Sequence, residues 1–260
     1  MLVLLPPSEG KHSPAAGPPV DLEQLSFPSL TGTRHDVLTA VQRLCRGPKG
    51  KARTALGLGP TQDDELTRNQ QLLDAPTAPA AQVYTGVLYD ALGYPSLPVA
   101  ARRRLDQWVV ISSALWGALR LTDAIPAYRL SGDVTLPRIG KVSTRWRDPL
   151  ATVLPALAGD GLVLDLRSGA YAAMWSPVGD VAARTVAVRV LQRRPDGTVK
   201  VVSHHNKATK GRLLAALSRR GAPRTLQALS EAIASTGVDV DLTEPARGRP
   251  GRLDVVTDEL

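Results

Sequence analysis

Short, uninterrupted hydrophobic runs recur along the chain and predict buried β-strands. Such runs occupy residues 1–5, 108–111 and 162–166, and each is too short for a buried helix but typical of a strand covered on both faces. Residues 185–192 and 198–203 flank a Pro-Asp-Gly turn and predict a β-hairpin. A last strand is expected near residues 253–256.

Segments of helical periodicity alternate with these runs. They are expected in residues 37–44, 66–73, 79–107 with a break at 93–95, from 148 onward, 213–217 and 226–234. The alternation predicts a mixed α/β fold in which a central mixed sheet is flanked by helices. Without an internal repeat or a dividing linker, the chain is expected to form a single domain over residues 1–260.

A basic, glycine-rich segment at about residues 34–75 has the outline of a helix-hairpin-helix. In that module the backbone amides of a short Gly-containing turn contact a DNA phosphate. The expected DNA-binding residues are Lys49, Lys51, Arg53, Gly57 and Gly59. The spacing of the two glycines is a weak signal by itself, and a plain αα-hairpin is the alternative.

Composition narrows the functional classes. The 260 residues carry a formal charge of +8, which favours an acidic partner such as double-stranded DNA, a nucleotide-like anion or an anionic surface. Basic drift in an arginine-rich protein would give the same charge. A single cysteine excludes a disulfide framework within the chain and any cysteine metal site, and no metal or cofactor is expected. No apolar run approaches the ~20 residues of a membrane span, so we expect a cytoplasmic protein.

Polar clusters follow the predicted strands. The junction at residues 199–213 is expected to join a strand to a helix and carries several lysines, a combination that favours an anion. The alternative is a solvated, basic first turn of the helix. If the strand ends meet at one edge of the sheet, they form a site. An antiparallel strand would carry its cluster to the opposite edge. The clusters contain Ser8, Glu9 and Lys11; Ser113 and Trp116; Ser168 and Tyr171; and His204, Asn206 and Lys207.

The chemistry of these side chains is of three kinds. Lysines and arginines, including Arg120, Arg129 and Lys210, can bind phosphate. The aromatic rings of Trp116, Tyr128 and Tyr171 can stack on a base. Glu9 and Asp123 can act as acid or base, and Lys207 or Lys11 can form a Schiff base with an opened sugar. The structural alternatives are a core position for Trp116, an ion pair of Asp123 with Arg129, and a helix cap at Ser168.

Several motifs, in order and at compatible spacing, resemble the peroxide-stress protein YaaA family. They cover residues 1 to about 220. The motifs are Met1 to Lys11, Tyr84-Thr85-Gly86, Ile111 to Asp123, Pro126-Ala127-Tyr128-Arg129-Leu130, Asp165 to Tyr171 and Ser203 to Gly211. The chain departs from the family pattern at Glu9-Gly10, Trp116, Ala170 and Ala208, which allows a divergent substrate.

The resemblance implies a cytoplasmic protein that lowers oxidative damage and free iron during peroxide stress. It also implies a mixed α/β fold with a positively charged cleft and a helix-hairpin-helix that binds duplex DNA. The first hypothesis is therefore a DNA-binding stress protein. The second is an enzyme that acts on a nucleotide, a nucleobase or nucleic acid by glycosidic cleavage or base modification, through Lys207 or Lys11 with Glu9 or Asp123. An iron store is disfavoured because the chain has one cysteine and four histidines.

Overall fold

The computed structural model describes residues 1–194, 198–201 and 203–258, except for the side chains of 201, 203–205 and 258. It bears out the mixed α/β class, with a central mixed sheet flanked by helices. The strands are β1 Leu2–Leu5, β2 Ala78–Pro79, β3 Val109–Ser113, β4 Gly117–Leu119, β5 Ala124–Ile125, β6 Thr135–Leu136, β7 Gly140–Lys141, β8 Val163–Asp165, β9 Thr185–Arg193, β10 Val199–Val201, β11 Asp239–Thr243 and β12 Gly251–Asp258.

Helices flank this sheet. They are α1 Thr31–Arg46, α2 Lys49–Leu56, α3 Asp63–Gln70, α4 Ala80–Val83, α5 Val87–Leu92, α6 Val99–Trp108, α7 Val142–Arg145, α8 Arg147–Ala158, α9 Gly179–Ala182, α10 Ser203–Ser218 and α11 Leu226–Ala234. Short 3₁₀ turns lie at Pro28–Leu30, Tyr94–Ser96 and Gly169–Met174.

The main sheet has the strand order β11-β12-β9-β8-β1-β3-β4, and β10 pairs with β9. Strands β12, β9, β8, β1 and β3 run parallel, whereas β4, β10 and β11 pair antiparallel with their neighbours. The central strand β1 is buried along its whole length, which explains why it is continuously hydrophobic in the sequence. The carboxyl ends of β1, β3 and β8 therefore meet at one edge of the sheet.

The β9–β10 hairpin brings the start of α10 to the same edge. Strand β8 ends at Asp165, opposite Ala187, but β9 continues to Arg193. Strand β10 runs back along this extension and ends at Val201, opposite Leu191. Because β9 extends several residues beyond the end of β8 and β10 pairs with this extension, the antiparallel return of β10 does not carry α10 to the opposite edge.

Helices α5 and α10 pack in unusually close contact. A Cβ atom built on Gly211 of α10 would lie 2.3 Å from the carbonyl oxygen of Leu88 and 2.9 Å from the backbone nitrogen of Leu92. No side chain fits at that distance, so glycine is required for the two backbones to approach. This packing fixes α10 beside the loop that precedes α5.

The basic segment at residues 34–75 forms three helices instead of two. Helix α2 lies where the sequence predicted a loop, and residues 57–62 connect α2 to α3. Gly57 adopts a left-handed conformation with φ of 64°, and its N–H donates to Thr54 O at 3.3 Å. The Gly59 N–H donates to Gln62 Oε1 at 2.8 Å. Since both glycine amides have acceptors within the segment, phosphate binding by this turn stays a prediction.

Candidate functional site

A cavity of about 650 Å³ lies at the edge of the sheet where β1 and β8 end, beside the first turns of α5 and α10. Nine of the residues singled out in the sequence line it. They are Ser8, Glu9, Lys11, Arg129, Ser168, Tyr171, Asn206, Lys207 and Lys210. Four of these side chains are cationic and one is acidic. The expected convergence of distant segments is therefore present for Lys11, Arg129 and Lys207.

The loop after β1 is held in shape by the Tyr84-Thr85-Gly86 segment. The Thr85 N–H donates to Ser8 Oγ at 3.1 Å, and Ser8 Oγ donates to Gly10 O at 2.5 Å. Lys11 forms a β-bridge with Tyr84, and the Tyr89 hydroxyl donates to Pro6 O at 2.8 Å. These contacts fix the backbone of the loop and point Lys11 inward.

Lys11 places its ammonium group over two aromatic rings that lie behind the cavity lining. Its Nζ lies 4.1 Å from the ring centre of Tyr128 and 5.6 Å from that of Tyr84, within range of a cation–π interaction. The same atom donates to Ser8 O at 2.9 Å. Burial and the positive charge of Arg129 lower the pKa of Lys11 to about 7. The amine is thus charged or neutral in comparable proportion near neutral pH.

Arg129 presents its guanidinium to the mouth of the cavity from a fixed backbone. The Arg129 N–H donates to Asn69 Oδ1 at 2.9 Å, and Asn69 Nδ2 donates to Arg129 O at 2.7 Å. Asn69 is fully buried, so this double contact is shielded from water. Arg129 Nη2 lies 2.5 Å from Glu9 Oε1, in an ion pair with the only acid that lines the cavity among the described residues.

Helix α10 supplies a third side of the cavity through Asn206, Lys207 and Lys210. Lys207 is exposed, whereas Lys210 is 5% exposed and donates from Nζ to Leu166 O at 3.0 Å. Burial lowers the pKa of Lys210 to about 8. The two lysines therefore differ: the Lys207 amine faces solvent, whereas the Lys210 amine is buried.

The segment after β8 is clamped by a buried ion pair. Arg167 meets Asp165 in bidentate geometry, with Nε to Oδ1 at 2.9 Å and Nη2 to Oδ2 at 2.7 Å. Arg167 also donates to Tyr171 O at 3.1 Å and to Trp175 O at 2.9 Å. These bonds shape the 3₁₀ turn that carries Tyr171. Ser168 lies exposed at the N-cap position of that turn, but its side chain makes no capping hydrogen bond.

Three predicted ligand-binding residues form a buried network behind Lys11 and do not line the cavity. The Tyr128 hydroxyl lies 2.8 Å from Ser113 Oγ and 2.9 Å from the Tyr84 hydroxyl. Ser113 Oγ accepts from the Trp116 N–H at 3.0 Å. Trp116 is fully buried and packs edge-on against Tyr128. These residues support the floor and leave no ring face open for a base.

Asp123 and Arg120 also lie away from the cavity lining, at the far end of β4. Asp123 Oδ1 accepts from the Ser26 N–H and hydroxyl at 3.1 and 2.7 Å, and its Oδ2 accepts from the Arg120 N–H at 2.8 Å. The Arg120 guanidinium donates to Gln107 O and Val109 O. Asp123 thus joins two loops, and Arg120 ties its loop to the end of α6 and the start of β3. The expected pairing of Asp123 with Arg129 is replaced by the pair of Arg129 with Glu9.

The remaining predicted residues do not line the cavity as far as the structure describes them. The side chain of His204 is outside the described part of the structure. Lys49 and Arg53 form ion pairs with Asp63 at 3.3 and 2.7 Å, and Lys51 is exposed on α2.

In the described part of the chain, no cluster of three histidine, cysteine, aspartate or glutamate side chains could hold a metal ion. No helix within those residues has the length and apolar character needed to cross a bilayer.

Sequence reasoning missed the residues that hold the site in place. Asn69 clamps Arg129, Arg167 clamps the segment after β8, and Thr85 holds Ser8. Arg34 is fully buried and donates to Trp116 O at 3.1 Å and to Ala118 O at 3.0 Å. Burial lowers the pKa of Arg34 to about 10. Thr85 and Arg167 lie in segments already noted as motifs, whereas Asn69 and Arg34 lie on helices with no local signal.

Comparison with known proteins agrees with the motif resemblance. The family model described as peroxide stress protein YaaA matches residues 1–237. A UPF0246 protein of Streptomyces coelicolor is 51% identical over 262 residues, covering 100% of both chains. A UPF0246 protein of Corynebacterium efficiens is 41% identical, covering 94% of this chain and 96% of the relative. One of Corynebacterium glutamicum is 42% identical, covering 84% and 85%.

Proposed function

Because this chain belongs to the peroxide stress protein YaaA family, we propose that it is a cytoplasmic stress-response protein that binds DNA and takes a phosphate-bearing group into its cavity. The observation that carries the proposal is the convergence of Lys11, Arg129, Lys207 and Lys210 on a single cavity. Even with Lys11 only partly protonated, the basic side chains outnumber the one acid, and this surplus of positive charge attracts anions and strengthens their binding where water is excluded.

Contacts to duplex phosphates come from the basic helices of the 34–75 segment. Lys51 is exposed on α2, and no ion partner is found for it among the described residues. Lys49 and Arg53 share Asp63, so each has part of its charge compensated. Of the three basic residues predicted to bind DNA in this segment, Lys51 therefore gains most from a phosphate.

Salt dependence of DNA binding tests the proposal. A fluorescein-labelled duplex is titrated with the protein at a series of KCl concentrations, and binding is read by anisotropy. Each lost phosphate contact should lower the slope of log K against log salt by about 0.9. We expect Lys51→Ala and Lys207→Ala to weaken binding and reduce this slope. Lys200→Ala is the matched control, because Lys200 is an exposed lysine that is not among the described lining residues.

Two results would contradict DNA binding through these groups. The first is an affinity that does not change between low and high salt. The second is an equal loss of affinity in Lys200→Ala and Lys207→Ala, which would mean that only net charge matters.

A second candidate function is amine catalysis at Lys11. The observation that favours it is the presence of Lys11 in the cavity lining, together with the lowered pKa that burial gives this amine. A neutral lysine can add to the aldehyde of an opened abasic sugar. The carbonyl oxygen then leaves as water and a carbon–nitrogen double bond forms. Glu9, which lines the same cavity, is the acid or base within the site.

Borohydride trapping tests this second function. A duplex with one abasic site is incubated with the protein and reduced, and the covalent adduct is measured on a denaturing gel. Wild type should form an adduct that Lys11→Met abolishes and Lys200→Met leaves unchanged. No adduct, or an adduct that persists without Lys11 and without Lys207, would remove amine catalysis.

A further inference from the structure

The shape of the cavity limits what can enter it. Its volume of about 650 Å³ lies within the range of small-molecule sites, about 300–1,000 Å³. A base inside a duplex is paired and stacked, so it cannot reach the lining of such a cavity without leaving the helix. The cavity thus suits one nucleotide-sized unit, whereas the paired duplex is left to the outer surface.

The lining combines basic side chains with apolar and aromatic ones. The basic side chains are those of Lys11, Arg129, Lys207 and Lys210. The apolar and aromatic lining residues are Pro6, Pro7, Val87, Leu88, Tyr89, Leu130, Leu166 and Tyr171. This combination suits a ligand that has both a charged group and a flat, weakly polar body, and a nucleotide has both.

The ion pair of Glu9 with Arg129 marks the position of the charged group. The Glu9 side chain is 76% exposed, whereas Arg129 is 20% exposed and has its backbone clamped by Asn69. The carboxylate is therefore the mobile partner and the guanidinium the fixed one. A carboxylate and a phosphate oxygen accept from a guanidinium in the same way, so Glu9 occupies the place that a phosphate would take.

We infer that the cavity binds a single nucleotide unit outside a base-paired stack, with its phosphate on Arg129 in place of the Glu9 carboxylate. This inference rests on the proposed function and names the ligand of the same cavity. The nucleotide is either free or part of a single strand, and both present the same phosphate and base. Glu9 weakens ligand binding, because an exposed ion pair of this kind must be broken first.

Calorimetric titration at pH 7 tests the inference with 2′-deoxyadenosine 5′-monophosphate as the probe. We expect saturable binding to one site per chain, and binding of 2′-deoxyadenosine weaker by at least about tenfold, since it lacks the phosphate. Glu9→Gln should bind the monophosphate about fivefold more tightly, because the competing charge is gone. Arg129→Gln should bind it at least about tenfold more weakly. Glu23→Gln, which removes an exposed acid outside the described lining, should match wild type.

Equal affinity for the nucleoside and its monophosphate would overturn the inference, as would unchanged affinity in Glu9→Gln. Displacement of the monophosphate by a single-stranded 12-mer, but not by the matched duplex, would assign the unit to a single strand. Displacement by neither would assign it to a free nucleotide. Equal displacement by both forms would contradict the exclusion of paired bases.

The two proposals fail in different ways. Salt-dependent duplex binding without any binding of the monophosphate would overturn this inference and leave DNA binding standing. If neither the monophosphate nor any DNA binds, the proposed function fails as well. Circular dichroism spectra of each variant establish that a lost interaction is not a lost fold.

Discussion

The contact between α5 and α10 makes Gly211→Ala the sharpest structural test. The new methyl group would lie 2.3 Å from Leu88 O and 2.9 Å from Leu92 N, both backbone atoms that cannot rotate away. The two helices would have to move apart. Overpacking of this kind costs up to about 3 kcal/mol, and the better helix propensity of alanine returns about 1 kcal/mol. We therefore expect a net loss of about 2 kcal/mol in the free energy of unfolding.

Thermal and urea denaturation followed by circular dichroism measure this change. For a chain of this size the expected loss lowers Tm by roughly 4–8 °C. Gly50→Ala is the matched control, because Gly50 lies in α2 and an added Cβ atom there would meet nothing within 4 Å. The control should be neutral or more stable than wild type. If Gly211→Ala behaves like Gly50→Ala, the close packing of the two helices is wrong, and so is the position of the α10 lysines beside the cavity.

Three further outcomes follow from other parts of the molecule. Arg167→Met should lower the free energy of unfolding by about 3–5 kcal/mol in urea denaturation, because it leaves Asp165 as an unpaired buried charge; a loss below about 1 kcal/mol would contradict a buried pair. Affinity for a DNA 12-mer at constant ionic strength should fall as pH rises from 6 to 9. Burial lowers the pKa of Lys11 to about 7 and that of Lys210 to about 8, so both amines lose over this range the positive charge that attracts phosphate. Lys11→Met should remove the step near pH 7, and a flat wild-type profile would count against both lysines. Cys45 is buried and burial raises the pKa of its thiol, so mass spectrometry should show far slower alkylation by iodoacetamide in buffer than in urea, and equal rates would refute its burial.

Much of the fold was readable from local pattern. The strands at residues 1–5 and 162–166 and the helix at 226–234 were expected within about two residues, because each has an uninterrupted apolar run or a clear periodicity. The pattern failed at α2, where lysines and glycine outweigh the few apolar positions. It also missed β11, an edge strand in which half-buried residues alternate with exposed ones.

The candidate site was partly readable as well. Lysines and serines directly after strands β1 and β8 were expected at one edge, and they line one cavity. Trp116, Tyr128 and Asp123 looked like equally good site residues, because residue type and proximity to a strand end do not reveal which way a side chain points. The first two support the floor of the cavity, and the third joins two loops.

Residue chemistry and spacing alone determined the α/β class, the family resemblance and the clusters that follow the strands, because these depend on neighbours along the chain. Only the tertiary structure decided that the β9–β10 hairpin extends beyond the end of β8, that Asn69 holds Arg129, and that Glu9 faces Arg129. The reason is physical. Each of these features depends on strand length, on crossing geometry or on a contact between residues 60 to 120 positions apart, and no local pattern of hydrophobicity encodes such a distance.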